Sequence, residues 1–85
     1  MPIISMFYGI IISMYYNDHN PPHIHTKYQS QKEIFDLEGN LIEGVFPKKQ
    51  TRLVVAWIEI HQDSIAANWE LARTEQPLYQ IDPLK

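Results

Sequence analysis

The hydrophobic pattern of this 85-residue chain changes period once, at Pro47, and that switch limits the architectures open to it. Upstream, apolar side chains alternate with polar ones; downstream they recur at helical spacing. Strands followed by a helix predict an α+β fold, a small sheet with one face covered.

Ile3 to Tyr8 and Ile10 to Tyr16, split by Gly9, are rich in β-branched and aromatic side chains and read as strands. In the second, Ile10, Ile12, Met14 and Tyr16 share one face, and Ile11, Ser13 and Tyr15 the other. Asn17 to Pro22 reads as a loop, because Asn and Asp favour turns and Pro-Pro donates no ladder hydrogen bonds. Alternation resumes at His23, with Ile24, Thr26 and Tyr28 set against His23, His25, Lys27 and Gln29. Gln31 to Leu37 and Leu41 to Phe46, joined by a turn at Glu38-Gly39-Asn40, complete an antiparallel meander of about four to five strands.

Beyond Pro47, at about 100° per residue, Leu53, Val54, Trp57, Ile58, Ile60, Ile65, Leu71 and Ala72 fall in one stripe opposite Glu59, Gln62, Asp63, Glu70 and Arg73. This predicts one long C-terminal helix of roughly 20 to 25 residues, or one kinked or restarted near Asp63-Ser64, stopped by Pro77. No linker or repeat divides the chain, so residues 1–85 read as a single domain.

Composition narrows the function classes. There is no cysteine, so disulfides and thiolate metal sites are excluded and any metal must be held by imidazole and carboxylate. The formal net charge is −3, and the basic residues are scattered apart from Lys48-Lys49 with Arg52. That weighs against nucleic acid as a partner, since phosphate affinity comes mainly from clustered Lys and Arg. The first 17 residues carry no charged side chain. They nevertheless lack a basic n-region, are broken by Gly9, and fall short of the ~20 apolar residues of a spanning helix. A soluble cytoplasmic protein without a membrane segment is the expectation. Three glycines spread along the chain make neither a phosphate-binding loop nor a nucleotide fingerprint.

The chemistry concentrates in DHNPPHIH, residues 18 to 25, with three histidines and an aspartate in eight positions. His23 and His25 are two apart on a predicted strand, so both rings leave one face about 7 Å apart along the chain, a spacing from which both reach one ion. His19, across the Pro21-Pro22 corner, supplies a candidate third imidazole, and the candidate metal set is His19, His23 and His25. Asp18 either ligates or orients a histidine from behind. The ion such donors admit is a divalent metal such as zinc. Without a metal, two histidines serve as general base and acid in phosphodiester cleavage, with Lys27 steadying charge, which is a histidine-dependent hydrolase or ribonuclease. His61 lies within the apolar stripe with Asn68, pointing inward, where the strand histidines are one source of partners. Against this stands a plainer arrangement. If Ile24, Thr26 and Tyr28 face the helix, His23 and His25 point away from it, and His61 is a core histidine.

Three stretches carry a family resemblance: the opening P-x-I-x-x-F-x-G, the block Y-x-D-H-N-P-P-H-x-H, and W-x-x-x-H followed by N-W-E-L-A. Across nearly its whole length the chain resembles the small bacterial family called domain of unknown function forty-one sixty. The resemblance implies no particular chemistry. It marks Asp18, His19, Asn20, His23, His25 and His61 as the functional cluster. It also implies a protein partner made by an adjacent small gene, in a two-gene module of toxin–antitoxin type. On that reading the apolar tail after Pro77 and an exposed sheet edge are the docking elements. Enzyme and partner-binding module both stay open at this point.

Overall fold

The computed structural model describes residues 2–85. Five strands, β1 (Ile3–Phe7), β2 (Ile10–Ser13), β3 (His23–Tyr28), β4 (Gln31–Asp36) and β5 (Leu41–Gly44), precede two helices, α1 (Lys48–Ile60) and α2 (Gln62–Arg73). The strands form one antiparallel sheet in sequence order, as the alternation before Pro47 predicts. Tyr8 and Gly9, with φ of 48° and 78°, make the two-residue β1–β2 turn; positive φ at both positions matches the twist of the paired strands.

Register decides which side chains meet the helices. Ile10 pairs with Tyr28 and Ile12 with Thr26, and Ile24 pairs with Phe35 and Thr26 with Glu33, so these residues share one face. That face is covered: Ile4, Ile10, Ile12, Met14, Ile24 and Phe35 are buried with Val54, Trp57, Ile58, Ile65 and Trp69 from the helices. Phe7 and Trp57 meet at a ring distance of 5.7 Å. Glu33, also buried, accepts hydrogen bonds from the Phe46 N–H at 2.9 Å and the Thr51 hydroxyl at 3.1 Å. A carboxylate from the sheet therefore satisfies groups at the start of α1, where Pro47 offers no side-chain cap.

The helical stripe forms two helices, not one long one, which is the restarted form of the expectation. His61, at φ −114° and ψ 26°, lies outside the helical region; its N–H closes α1 on Trp57 and Ile58, and its carbonyl accepts from Ile65 to open α2. The break comes two residues before the expected Asp63-Ser64 kink or restart. Ile60, placed inward by a continuous wheel, is exposed, while α2 buries Ile65, Asn68, Trp69 and Ala72 at i, i+3, i+4 and i+7.

The tail after Pro77 packs on the core through Ile81, while Tyr79 stays exposed. Ile81 is buried, and its N–H donates to the Ile4 carbonyl at 2.8 Å. The Trp57 indole N–H donates to the Asp82 carbonyl at 2.9 Å. Asn68 bonds both backbone groups of Tyr79, at 2.9 and 3.0 Å. The polar seam of α2 is thus satisfied by the tail and not by the strand histidines. No helix among the described residues is long and apolar enough to cross a membrane.

Candidate metal centre

The sheet face away from the helices carries the alternate set, and His25 lies on it with Ile11, Ser13, Lys27 and Ile34. The plainer arrangement is correct for that strand face: Ile24 and Thr26 are buried toward the helices, and His25 points away from them. His23 is different. At the strand's first position it is buried, 5% exposed, with its ring 5.5 Å from Trp69 of α2. The Asn17–Pro22 loop brings the chain back over this corner and is tied down by the Asn17 N–H, which donates to the Ala72 carbonyl at 2.9 Å. Asn17 sits at φ 53°, a left-handed conformation that asparagine tolerates.

This loop aims Asp18 at the histidines. Its Oδ2 lies 2.9 Å from His23 Nε2 and 3.2 Å from His25 Nε2. Donor atoms of Asp18, His23 and His25 all fall within 4.8 Å of one another. His25 is 24% exposed and stacked on Tyr15 at a ring distance of 4.1 Å; His23 meets its other side at 5.0 Å. The Asp18 carboxyl is held below its ordinary value. Partial burial pushes it up, but the His19 backbone N–H, the His25 hydrogen bond and the charges of His23 and His19 together outweigh that.

His23 Nδ1 lies 2.7 Å from the Pro21 carbonyl oxygen. A carbonyl only accepts, so Nδ1 carries a proton and donates it. Nε2 is then either a bare lone pair or the second N–H of an imidazolium. A lone pair facing a carboxylate oxygen at 2.9 Å is unfavourable unless a cation lies between them. A metal ion and a proton are therefore alternative occupants of one position.

The expected histidine trio is not what converges. His19 is 83% exposed, and its Nδ1 lies 2.9 Å from the other Asp18 oxygen, Oδ1. It stands outside the group that gathers within 4.8 Å, and Asp18 takes the third place. Asn20 is exposed. His61 does not join: half-buried at the helix junction, it packs its ring on Trp57 at 5.5 Å and lines a shallow cleft made of its chain neighbours, Glu59 to Ser64. Sequence reading missed Trp69 as the wall behind His23, although a continuous wheel sets it beside Ile58 at the edge of the stripe. It also missed the Pro21 carbonyl as the group that orients His23, because backbone acceptors leave no trace in residue identity.

Residues 9–70 match the family model described as domain of unknown function (DUF4160), a span that includes every residue of the site. No curated protein and no solved structure matches the chain significantly.

Proposed function

The chain belongs to the DUF4160 family, and from the geometry of its histidine corner we propose that it is a small metal-binding protein, with Asp18, His23 and His25 holding a divalent transition metal. The observation that carries this reading is the Pro21 carbonyl on His23 Nδ1. Metal-ligating histidines characteristically donate their second ring N–H to such a group, which fixes the tautomer and aims the other nitrogen. Two imidazoles and a carboxylate without thiolates suit zinc. Ligand atoms on one zinc ion stand roughly 3.4 Å apart at tetrahedral angles and bonds of about 2.1 Å. The distances of 2.9 and 3.2 Å around Asp18 Oδ2 open to that value with a shift of a few tenths of an ångström. Three protein ligands leave one position free, the pattern of sites in which zinc supplies an activated water or a Lewis acid. The hydrolase alternative is the catalytic form of this same site.

Titration calorimetry of untagged protein with zinc, alongside metal analysis of the purified protein, tests the reading. Stoichiometric binding at micromolar or tighter affinity is expected, and no heat with no retained metal would end it.

A second reading, docking of a protein partner, is supported by β5, whose outer edge is unpaired and exposes Leu41 and Ile42 with Val45 just beyond. Co-expression with the adjacent gene product followed by size exclusion tests it, with co-elution expected; separate elution at micromolar concentration counts against it.

A further inference from the structure

The open sheet face holds a groove of about 250 Å³ that runs from β2 to β5 beside His25. Ile11, Tyr15 and Ile34 give it an apolar lining, and Lys27 and Lys32 stand in it. Those two lysines are direct partners across β3 and β4. Residues paired in this way project to the same face with close β-carbons, and like charges there oppose each other. Neither lysine takes part in an ion pair among the described residues. Two cations are thus held side by side at an apolar surface, and Glu43, the exposed carboxylate of the same groove, pairs with neither among the described residues.

We propose that this groove binds a small organic anion, a single-ring or short-chain carboxylate or phosphate monoester, with its charged end between Lys27 and Lys32 and its apolar body on Ile11 and Ile34. The volume sets the size. Benzene occupies an apolar cavity of roughly 150 Å³, so about 250 Å³ takes one ring and one anionic group but not a nucleotide's base, sugar and phosphate together. Orientation follows from Glu43, which pairs with Ile34 in the neighbouring row and repels an anion displaced from the lysines. The proposal stands on the groove alone and meets the proposed metal centre only at His25, so it does not depend on zinc.

The test is an NMR titration of metal-free protein, in chelator, with phenyl phosphate and benzoate as probes and benzyl alcohol and inorganic phosphate as controls. Shifts at the amides of Lys27, Lys32 and Ile34 are expected with at least one aryl anion, and the two probes tell phosphate from carboxylate. Inorganic phosphate should bind more weakly than phenyl phosphate. The pair Lys27→Met and Lys32→Met, both exposed and compatible with folding, should lower affinity about tenfold or more, as loss of charge-assisted bonds does. No shifts with either aryl anion at millimolar concentration, benzyl alcohol binding as well as phenyl phosphate, or unchanged affinity in the double variant would each overturn the proposal. Repeating the titration on Asp18→Asn separates the two sites. Retained anion binding in a variant that no longer binds zinc confirms that the groove acts independently, and its loss there, with the fold intact, overturns that independence.

Discussion

His23 is the residue on which the site turns, because its two ring nitrogens face two different acceptors. The Nδ1–H donates to the Pro21 carbonyl, and Asp18 Oδ2 stands at Nε2, so zinc and a proton compete for that nitrogen. Zinc affinity should therefore fall as the pH is lowered, measured by calorimetry at several pH values; affinity that does not weaken in acid would contradict that competition. Asp18→Asn, His23→Ala and His25→Ala should each lower zinc affinity by at least about 100-fold, the upper range for loss of a mere orienting group. His19→Ala should change it only a few-fold, since that ring bonds the outer carboxylate oxygen and is 83% exposed. At this scale the histidine cluster was legible in the sequence. Which three groups converge was not, because loop curvature, and not residue spacing, turns Asp18 inward and His19 outward.

At the scale of elements, the alternation and turn chemistry before Pro47 place all five strands, since strand period and turn residues are local properties. The helix break is not local. His61 departs from helical dihedrals while Trp57 and Trp69, on either side, are seated against Phe7 and His23. Where the break falls therefore depends on what each helix covers. Gly44 is a second element-level constraint: at φ 99°, a β-carbon there would lie 2.0 Å from the Lys32 carbonyl oxygen. Backbone cannot yield to that contact cheaply, so Gly44→Ala should destabilise the protein by about 2 kcal/mol or more through detachment of β5 from β4. Urea unfolding with amide exchange on Ile34 and Phe35 measures both effects, and an unchanged midpoint would contradict the steric argument.

For the whole molecule, the tail is the closing strap. Removing residues 77–85 uncovers the core beside Ile81, worth about 1.5–3 kcal/mol for that side chain, and leaves the Trp57 indole N–H and Asn68 amide without their partners. Domains this small have only about 4–13 kcal/mol in total, so the truncated chain should melt well below the full one; equal melting temperatures would mean the strap is dispensable. Acid should act through carboxylates that the fold holds low, Asp18 and Asp36 among them. Asp18 and Asp36 are both held below the ordinary value of 3.8 against the upward push of burial, Asp18 by the hydrogen bonds it accepts and the charges of His23 and His19, Asp36 by hydrogen bonds from Asn40, Glu38 and Gly39. A depressed native value means that ionisation favours the fold. Their contribution is complete above the unfolded-state value and is lost as pH falls through the lowered native ones. Melting temperature should therefore fall less steeply below pH 4 in Asp36→Asn than in the wild type, and parallel curves would contradict the assignment.

By itself the sequence determined the fold class, the order of the strands and the stretch in which the chemistry lies, because periodicity, turn propensity and the clustering of imidazoles are properties of neighbouring residues. Only the tertiary structure decided that Asp18 replaces His19 in the converging set, that His61 stands apart, that the tail fills the core, and that two lysines face each other over an apolar groove. Each of these depends on where separate segments meet, and loop path, strand register and the break between the helices are settled together by packing.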